Sequence, residues 1–297
     1  MNTPIFFSIV IPSYNRGSHI LKTIRSILNQ PFSNIEIIVI NDGSKDETAD
    51  IVKVIRDSES RIHYYEIENS ERAAARNHGL KYVKGIYVNY FDSDDLLLPC
   101  LDKLYSFIVQ NHQPDVVYGN IQHVDENDAE VNSESFDYGS FTKNLLHNNF
   151  LACGSVFLKR EVAQHSLFHE DRRLSSAEDW ELWLRIHTRY VFMQFPEYIF
   201  KQVHHKGRSL RSISPEAIEA RDKYFAELIF NNKELRAFYG YKSLNLFIAD
   251  RYTFIALAWC GVNWFNSYKY WIKSFQSSYR VLTRKRFWAV LKQLLWV

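Results

Sequence analysis

The sequence predicts an α/β fold: a mostly parallel sheet flanked by helices, followed by a helical C-terminal part. Three observations predict it. Apolar, β-branched runs alternate with stretches of helical periodicity through the front of the chain. Those runs are apolar almost without interruption, as strands buried on both faces must be. Beyond Ser214-Pro215 the remainder reads as helix.

Phe6 to Ile11 is the first strand, which Pro12 is expected to stop. Ile20, Ile24, Ile27 and Leu28 then recur at helical spacing, and Pro31 closes that helix. Ile35 to Ile40 is the second strand and runs into Asn41-Asp42-Gly43-Ser44, a turn-forming sequence. Asp46 to Ile55 is helical, Ile62 to Ile67 is a third strand, Ala73 to Val83 is a helix, and Ile86 to Phe91 is a fourth strand. From about Pro114 the pattern is mixed, with apolar segments at Val116 to Gly119 and Gly154 to Leu158 around a polar stretch to Tyr138. No Pro/Gly/Ser-rich linker separates this part, so residues 1–213 are expected to form one domain, divided at about residue 113. Asp179 to His187 is a helix with Trp180, Leu182, Trp183 and Ile186 as its apolar contacts. Ser214 as N-cap and Pro215 at N1 open a helical extension, 214–297, in which Tyr, Phe and Trp alternate with Lys and Arg.

Composition narrows the partners. The 297 residues are 46% hydrophobic and 24% charged, enough for a full core. Lys+Arg 36 nearly cancels Asp+Glu 34, so nothing in the net charge calls for nucleic acid. Cys100, Cys153 and Cys260 have no metal-ligand or disulfide spacing, which points to a reducing compartment. The N-terminal residues lack the basic flank and cleavage site of a signal peptide. The stretch Phe254 to Phe265 is shorter than the about 20 residues a bilayer crossing takes. A cytoplasmic location is expected.

The segment Phe91-Asp92-Ser93-Asp94-Asp95 raises the chemical question, because three carboxylates follow an apolar strand. Ligands of parallel sheets bind beyond the carboxyl ends of the strands. Tyr14 follows the first strand, Asp42 the second, and Asp92 and Asp94 the fourth, so all should open on one edge. Clustered carboxylates repel unless a cation neutralises them. Alternation along an extended segment puts Asp92 and Asp94 on one face and turns Asp95 away. Hard oxygen ligands suit Mg²⁺ or Mn²⁺, ions that commonly share their coordination with a substrate diphosphate. A solvated turn would use the same residues; their place at a strand end is what favours the metal.

From Phe7 to about Ser209 the chain resembles the family 2 glycosyltransferases of the GT-A (Rossmann-like) fold. Five motifs carry the resemblance, in family order: SIVIPSYNR, EIIVINDGSKDET, AAARNHGL, VNYFDSDDLLLP and AEDWELWLR. The resemblance implies a metal-dependent inverting transfer from a nucleotide sugar, a UDP-sugar by preference. The acceptor would be a glycan or a lipid-linked molecule in surface polysaccharide or glycoconjugate synthesis. Residues 1–113 would be the nucleotide-binding half and 114–213 the acceptor side. Tyr14 would pack on the nucleobase with Pro12 lining the pocket, and Asp42 would accept from a uracil ring nitrogen. Asn41 stands where many members carry Asp, but Asp42 matches the base-binding position. Arg76 would lie near the diphosphate, with Arg72 a second candidate. Asp92 would lie near the ribose and the metal, Ser93 would help bind the nucleotide sugar, and Asp94 would bind the metal directly. The Glu178-Asp179 pair matches the family's acidic catalytic motif, with Asp179 as the base. His204, five residues before Ser209, would complete the metal shell, and Lys206 or Arg208 would meet the departing phosphate. The aromatic and basic tail lies outside the matched motifs and suits either a membrane interface or a packed or dimeric helical seam. A nucleotidyltransferase or a non-catalytic sugar-nucleotide-binding scaffold are the competing readings.

Overall fold

The computed structural model describes residues 4–131, 140–204 and 213–295. In chain order the elements are β1 (Phe7–Ser13), α1 (Gly17–Leu28), β2 (Ile35–Asn41), α2 (Thr48–Ser58), β3 (Ile62–Glu66), α3 (Glu71–Leu80), β4 (Tyr87–Tyr90), β5 (Leu96–Leu97), α4 (Leu101–Gln110), β6 (Val116–Asp125), α5 (Phe141–His147), β7 (Val156–Lys159), α6 (Arg160–His165), α7 (Glu178–His187), β8 (Phe192–His204), α8 (Pro215–Asn231), α9 (Lys233–Tyr239), α10 (Tyr241–Trp259), α11 (Trp264–Ser277) and α12 (Lys285–Leu295). Two compact units interleave along the chain: Met1–Tyr138, Leu151–Glu170 and Arg189–Arg208 form the first, and Gly139–Phe150, Asp171–Thr188 and Ser209–Val297 the second.

The first unit is built on one sheet with strand order β3-β2-β1-β4-β7-β6-β8-β5. Strands β3, β2, β1 and β4 are parallel. β7 runs antiparallel to both β4 and β6, β8 is parallel to β6, and β5 is antiparallel to β8. Because β7 reverses the direction once, β1, β2, β4, β6 and β8 all point their carboxyl ends to one edge. β1 and β2 are buried along their whole length, which is why they read as unbroken apolar runs. Ile20, Ile24 and Ile27 of α1 join Phe7, Ile9, Ile11, Ile37 and Val39 in the core on one face. On the other face α3 lies very close: a Cβ on Gly79 would stand 2.4 Å from Val10 Cγ1, so the bare backbone there is a packing requirement.

Pro12 does not stop β1. The strand continues through it to Ser13, with Pro12 opposite Ile40 and Ser13 opposite Asn41. The pairing with β4 covers only Phe7 to Val10, and its last hydrogen bond runs from Phe91 N to Val10 O. Pro12 nitrogen faces that vacated side, where no ladder hydrogen bond is needed. β8, thirteen residues long, was not apparent in the sequence; Pro196 and the polar residues Gln194, Glu197, Lys201 and Gln202 interrupt its apolar pattern.

The second unit is helical. Trp180 sits at its centre: Nε1 donates to Leu145 O at 2.6 Å, and the ring lies edge-on to Phe225 and Phe247 at centroid separations of 5.1 and 5.7 Å. Arg251 places its guanidinium 4.7 Å from the same ring and pairs with buried Asp222 at 3.2 Å. Ser214 caps α8 as expected, its Oγ accepting from Ala217 N at 3.3 Å. Among the described residues no helix is long and apolar enough to cross a membrane.

Candidate active site

The loops after β1, β2 and β3 are stitched together by short polar contacts. Asn15 sits in the left-handed region at φ 50°, its N–H donating to Ser44 Oγ at 3.0 Å and its Oδ1 accepting from Lys45 N at 2.8 Å. Arg16 N donates to Thr48 Oγ1 at 2.8 Å. Asp42 is buried; its Oδ1 accepts from Ser70 N at 2.7 Å, and its backbone oxygen accepts from Asn69 Nδ2 at 3.0 Å. Gly43 makes this approach feasible, because it holds φ at 73° and a Cβ there would stand 3.0 Å from Asn69 N. The Asp-Gly turn therefore aims the Asp42 carboxylate, whose Oδ2 accepts from Asn69 Nδ2 at 3.4 Å. Tyr14 stands clear of this lattice with 46% of its surface exposed, leaving an aromatic face available.

Beyond β4, Asp92, Asp94 and Asp95 bring one carboxylate oxygen each within 4.8 Å of one another. This corrects the expectation that Asp95 turns away. The segment is not extended: Asp95 N donates to Asp92 O at 3.3 Å, and that turn curls all three side chains together. The first unit holds the turn on several sides. Thr23 Oγ1 of α1 donates to Ser93 O at 3.0 Å and Asp95 O at 2.9 Å. Asp95 Oδ1 accepts from Val203 N of β8 at 3.1 Å. Buried Asn89 donates to Val156 O at 2.9 Å, fixing β7 beside β4.

Two arginines face the carboxylates. Arg76 Nη2 contacts Asp92 Oδ1 at 2.8 Å while its guanidinium lies 5.1 Å from the Phe168 ring, and only 2% of the side chain is exposed. Arg16 Nε lies 3.4 Å from Asp94 Oδ2. Among these five side chains, three carboxylates against two guanidiniums leave one formal negative charge. Unit charges about 5 Å apart repel by roughly 3 kcal/mol at an effective dielectric near 20. An all-oxygen donor set with residual negative charge fits a hard divalent cation, with Asp92, Asp94 and Asp95 as the residues that would hold it.

His204 ends β8 at the same edge, but outside this carboxylate group: its Nε2 lies 3.0 Å from His123 Nδ1 of β6. Lys206, Arg208 and Ser209 lie outside the described residues. Pro12 and Ser93 are buried beside the site. Asp179 and Glu178 belong to the second unit, at the start of α7. Glu178 is buried, whereas Asp179 is half-buried; its Oδ1 accepts from Asn149 Nδ2 at 3.0 Å and from Trp180 N at 2.7 Å. Sequence reasoning missed Arg16, Asp95, Ser70 and His123. Arg16 had a signal, being a cation two residues past Tyr14 at the same strand end; Ser70 depends on the Asp42-Gly43 turn, Asp95 on the turn after β4, and His123 on the pairing of β6 with β8.

The fold and this strand-edge site define a GT-A protein. The model of the family described as glycosyl transferase family 2 matches residues 8–166, and the chain belongs to that family. An uncharacterized glycosyltransferase of Rickettsia bellii is 30% identical over 235 residues, which cover 78% of this chain and 33% of the relative. A glycosyltransferase of Haemophilus influenzae is 34% identical over 181 residues, 58% of this chain and 70% of that protein. GlyA of Streptococcus pneumoniae is 38% identical over 123 residues, 41% of this chain and 18% of GlyA. The chain thus spans about a third or less of the length of two of these three relatives. Among solved structures, S. aureus TarS 1–349 in complex with UDP-GlcNAc superposes with a TM-score of 0.69 at 20% identity, over 92% of this chain and 81% of TarS 1–349. The mannosyltransferase PcManGT of Pyrobaculum calidifontis, in complex with GDP-Man and Mn²⁺, gives 0.60 at 17% identity, over 99% and 88%.

Proposed function

We propose that the chain transfers a glycosyl group from a nucleotide sugar, with UDP the favoured nucleotide, to a hydroxyl of a glycan or lipid-linked acceptor with inversion at the anomeric carbon. The observation that carries this reading is the Asp92/Asp94/Asp95 group, at the same sheet edge as exposed Tyr14 and buried Asp42. Tyr14 offers a stacking face to the base, and Asp42, its direction fixed by Ser70 N, accepts from a ring N–H. Mn²⁺ or Mg²⁺, when bound, supplies positive charge to the leaving diphosphate. Support for a nucleotide-sugar donor comes from the complexes of TarS with UDP-GlcNAc and of PcManGT with GDP-Man and Mn²⁺.

Asp179 is the proposed base. The acceptor oxygen gives its proton to the Asp179 carboxylate and bonds to the anomeric carbon; the bond from that carbon to the diphosphate oxygen breaks, and its electrons leave with the nucleoside diphosphate. An α-linked donor then yields a β-linked product. Support for this role comes from the exposure of Asp179 relative to Glu178, from Asn149, which orients it, and from the adjacent Trp180 anchor. Arg76, held against Asp92, positions that carboxylate.

The test is product analysis with Asp179→Asn. The wild-type chain is expected to release UDP in a metal-dependent manner, and the variant to lose on the order of 10²–10⁴ in turnover while binding donor nearly unchanged. Turnover surviving in the variant would remove Asp179 from the role. Pyrophosphate release would replace glycosyl with nucleotidyl transfer, and donor binding without any product would make the chain a binding scaffold.

A further inference from the structure

We infer that the outer face of α11 and α12 is a docking surface for an anionic lipid bilayer. From Gly261 to Val297 the chain carries seven Lys/Arg and no Asp or Glu, while the preceding 260 residues carry 29 Lys/Arg against 34 Asp/Glu. The positive charge is thus concentrated at one end of the sequence. Lys269, Lys273, Arg280, Lys285, Arg286 and Lys292 are all exposed, and none is in an ion pair with a carboxylate among the described residues. Arg284, the seventh, reaches Asp250 at 3.4 Å.

The outer face is aromatic, and of these cations Lys285 and Lys292 lie on it. α11 and α12 lie side by side, with Trp271 stacked on Phe287 at 4.9 Å and Trp264 Nε1 donating to Leu294 O at 3.3 Å. Both bury their inner residues against α10, where Tyr270 and Val290 join Ile255, Ala256 and Trp259. Their opposite faces stay open. On α11, Trp264, Phe265, Tyr268 and Phe275 are each at least 41% exposed and fall within an arc of about 100° at 3.6 residues per turn. On α12, Trp288 and Leu295 are 50% and 75% exposed, flanked on the same side by Lys285 and Lys292. Tyr279 and Leu282 continue the patch between the helices, at 70% and 40%.

Exposed Trp, Tyr and Phe bordered by Lys and Arg suit the headgroup region of a bilayer, where rings enter the acyl boundary and cations meet lipid phosphates. With no described helix fit to cross a membrane, the helices would lie along its surface. A second copy is a poor occupant: a two-fold dimer sets a patch against itself, opposing exposed cations with no carboxylate from this segment to balance them. The inference is independent of the proposed transfer chemistry.

Flotation of the 297-residue chain with vesicles tests it. Partition is expected into vesicles of phosphatidylcholine mixed with phosphatidylglycerol, not into pure phosphatidylcholine, and it should weaken as salt is raised. Replacing Lys285 and Lys292 together with Glu should lower that partition by at least about thirtyfold, the worth of two surface cations, since the new carboxylates also repel the lipid phosphates. These positions are exposed, so the melting temperature should hold; if it falls, Lys269→Glu with Lys273→Glu serves as the second variant. Donor hydrolysis in solution should be unchanged in either variant, which separates this test from that of the transfer reading. Absent partition, equal partition into both vesicle types, or a charge-reversed chain that floats like the wild type would overturn the inference. So would a concentration-dependent dimer that the charge reversal dissolves.

Discussion

Asp94→Asn separates a metal site from a structural knot of carboxylates, because the two readings predict opposite signs for stability without metal. In the metal-free chain Asp94 faces the carboxylates of Asp92 and Asp95 within 4.8 Å. Each such pair repels by about 3 kcal/mol at an effective dielectric near 20, before the two arginines screen it. Against that, Asp94 makes an ion pair with Arg16 at 3.4 Å, with 24% of the Arg16 side chain exposed. Asp94 is itself buried, and at the same dielectric the pair attracts by about 5 kcal/mol, against about 7 kcal/mol for the two repulsions. Among these groups relief of repulsion outweighs the lost pair, and the variant should melt at the same temperature as the wild type or higher when metal is chelated. With Mn²⁺ the order reverses. A cation at a hundred times its dissociation constant stabilises the wild type by about 2.7 kcal/mol, whereas the variant, short of one ligand, should gain little. Melting curves with chelator, and across a Mn²⁺ titration, read both effects on one instrument. A variant that loses more than about 2 kcal/mol without metal, yet keeps the Mn²⁺ shift, would show Asp94 to be a structural residue outside the coordination sphere.

Two further substitutions or labels test the scaffold. Gly79→Ala puts a Cβ 2.4 Å from Val10 Cγ1 and 3.1 Å from Ile40 Cγ1, so α3 must lift from the sheet; the expected loss is about 1–3 kcal/mol in denaturant melts, with Arg76 on the same helix weakened in its hold on Asp92. Thiol labelling at mildly alkaline pH should modify one cysteine quickly. Burial pushes Cys100 up to about 12, so it stays protonated and unreactive, and Cys153 is also buried, leaving Cys260 as the accessible site. Rapid loss of two or three thiols in the native chain would contradict the packing of β5 and of the segment before β7.

The parallel half of the sheet was legible because its strands are buried on both faces, and burial writes itself into composition: seven consecutive buried positions in β1 and seven in β2 leave little room for polar residues. β8 was not, since it runs along β6 with only partly buried positions toward its end, and its sequence alternates with solvent rather than with apolar neighbours. Missing β8 also hid the neighbours of His204 and the support that Val203 N gives Asp95. Tyr14 and Asp42 could be placed at the edge from strand order alone. The direction of Asp95 could not, because the choice between an extended segment and a turn is made by contacts from α1 and β8, distant in sequence. The grouping of α7 with the C-terminal helices is of the same kind: Trp180 meets Leu145, Phe225 and Phe247, none of them near it in the chain.

Formal charge at the strand edge carries the argument one step further than the motif does. Arg76 and Arg16 already face Asp92 and Asp94, and Arg76 is buried in doing so, so neither guanidinium is a loose cation awaiting a phosphate. Among these five side chains alone, three carboxylates less two guanidiniums sum to −1, a charge that repels a nucleoside diphosphate. A divalent cation changes the sum to +1, which attracts it. Cation and donor should therefore each raise the affinity of the other by the same factor, as linkage requires of any two ligands that share a site. The arginines set the size of that factor: without them the carboxylates would carry −3 and stay negative even with the cation bound. Under the proposed transfer chemistry, their place beside Asp92 and Asp94 favours donor binding even though, in this geometry, their charge faces the carboxylates.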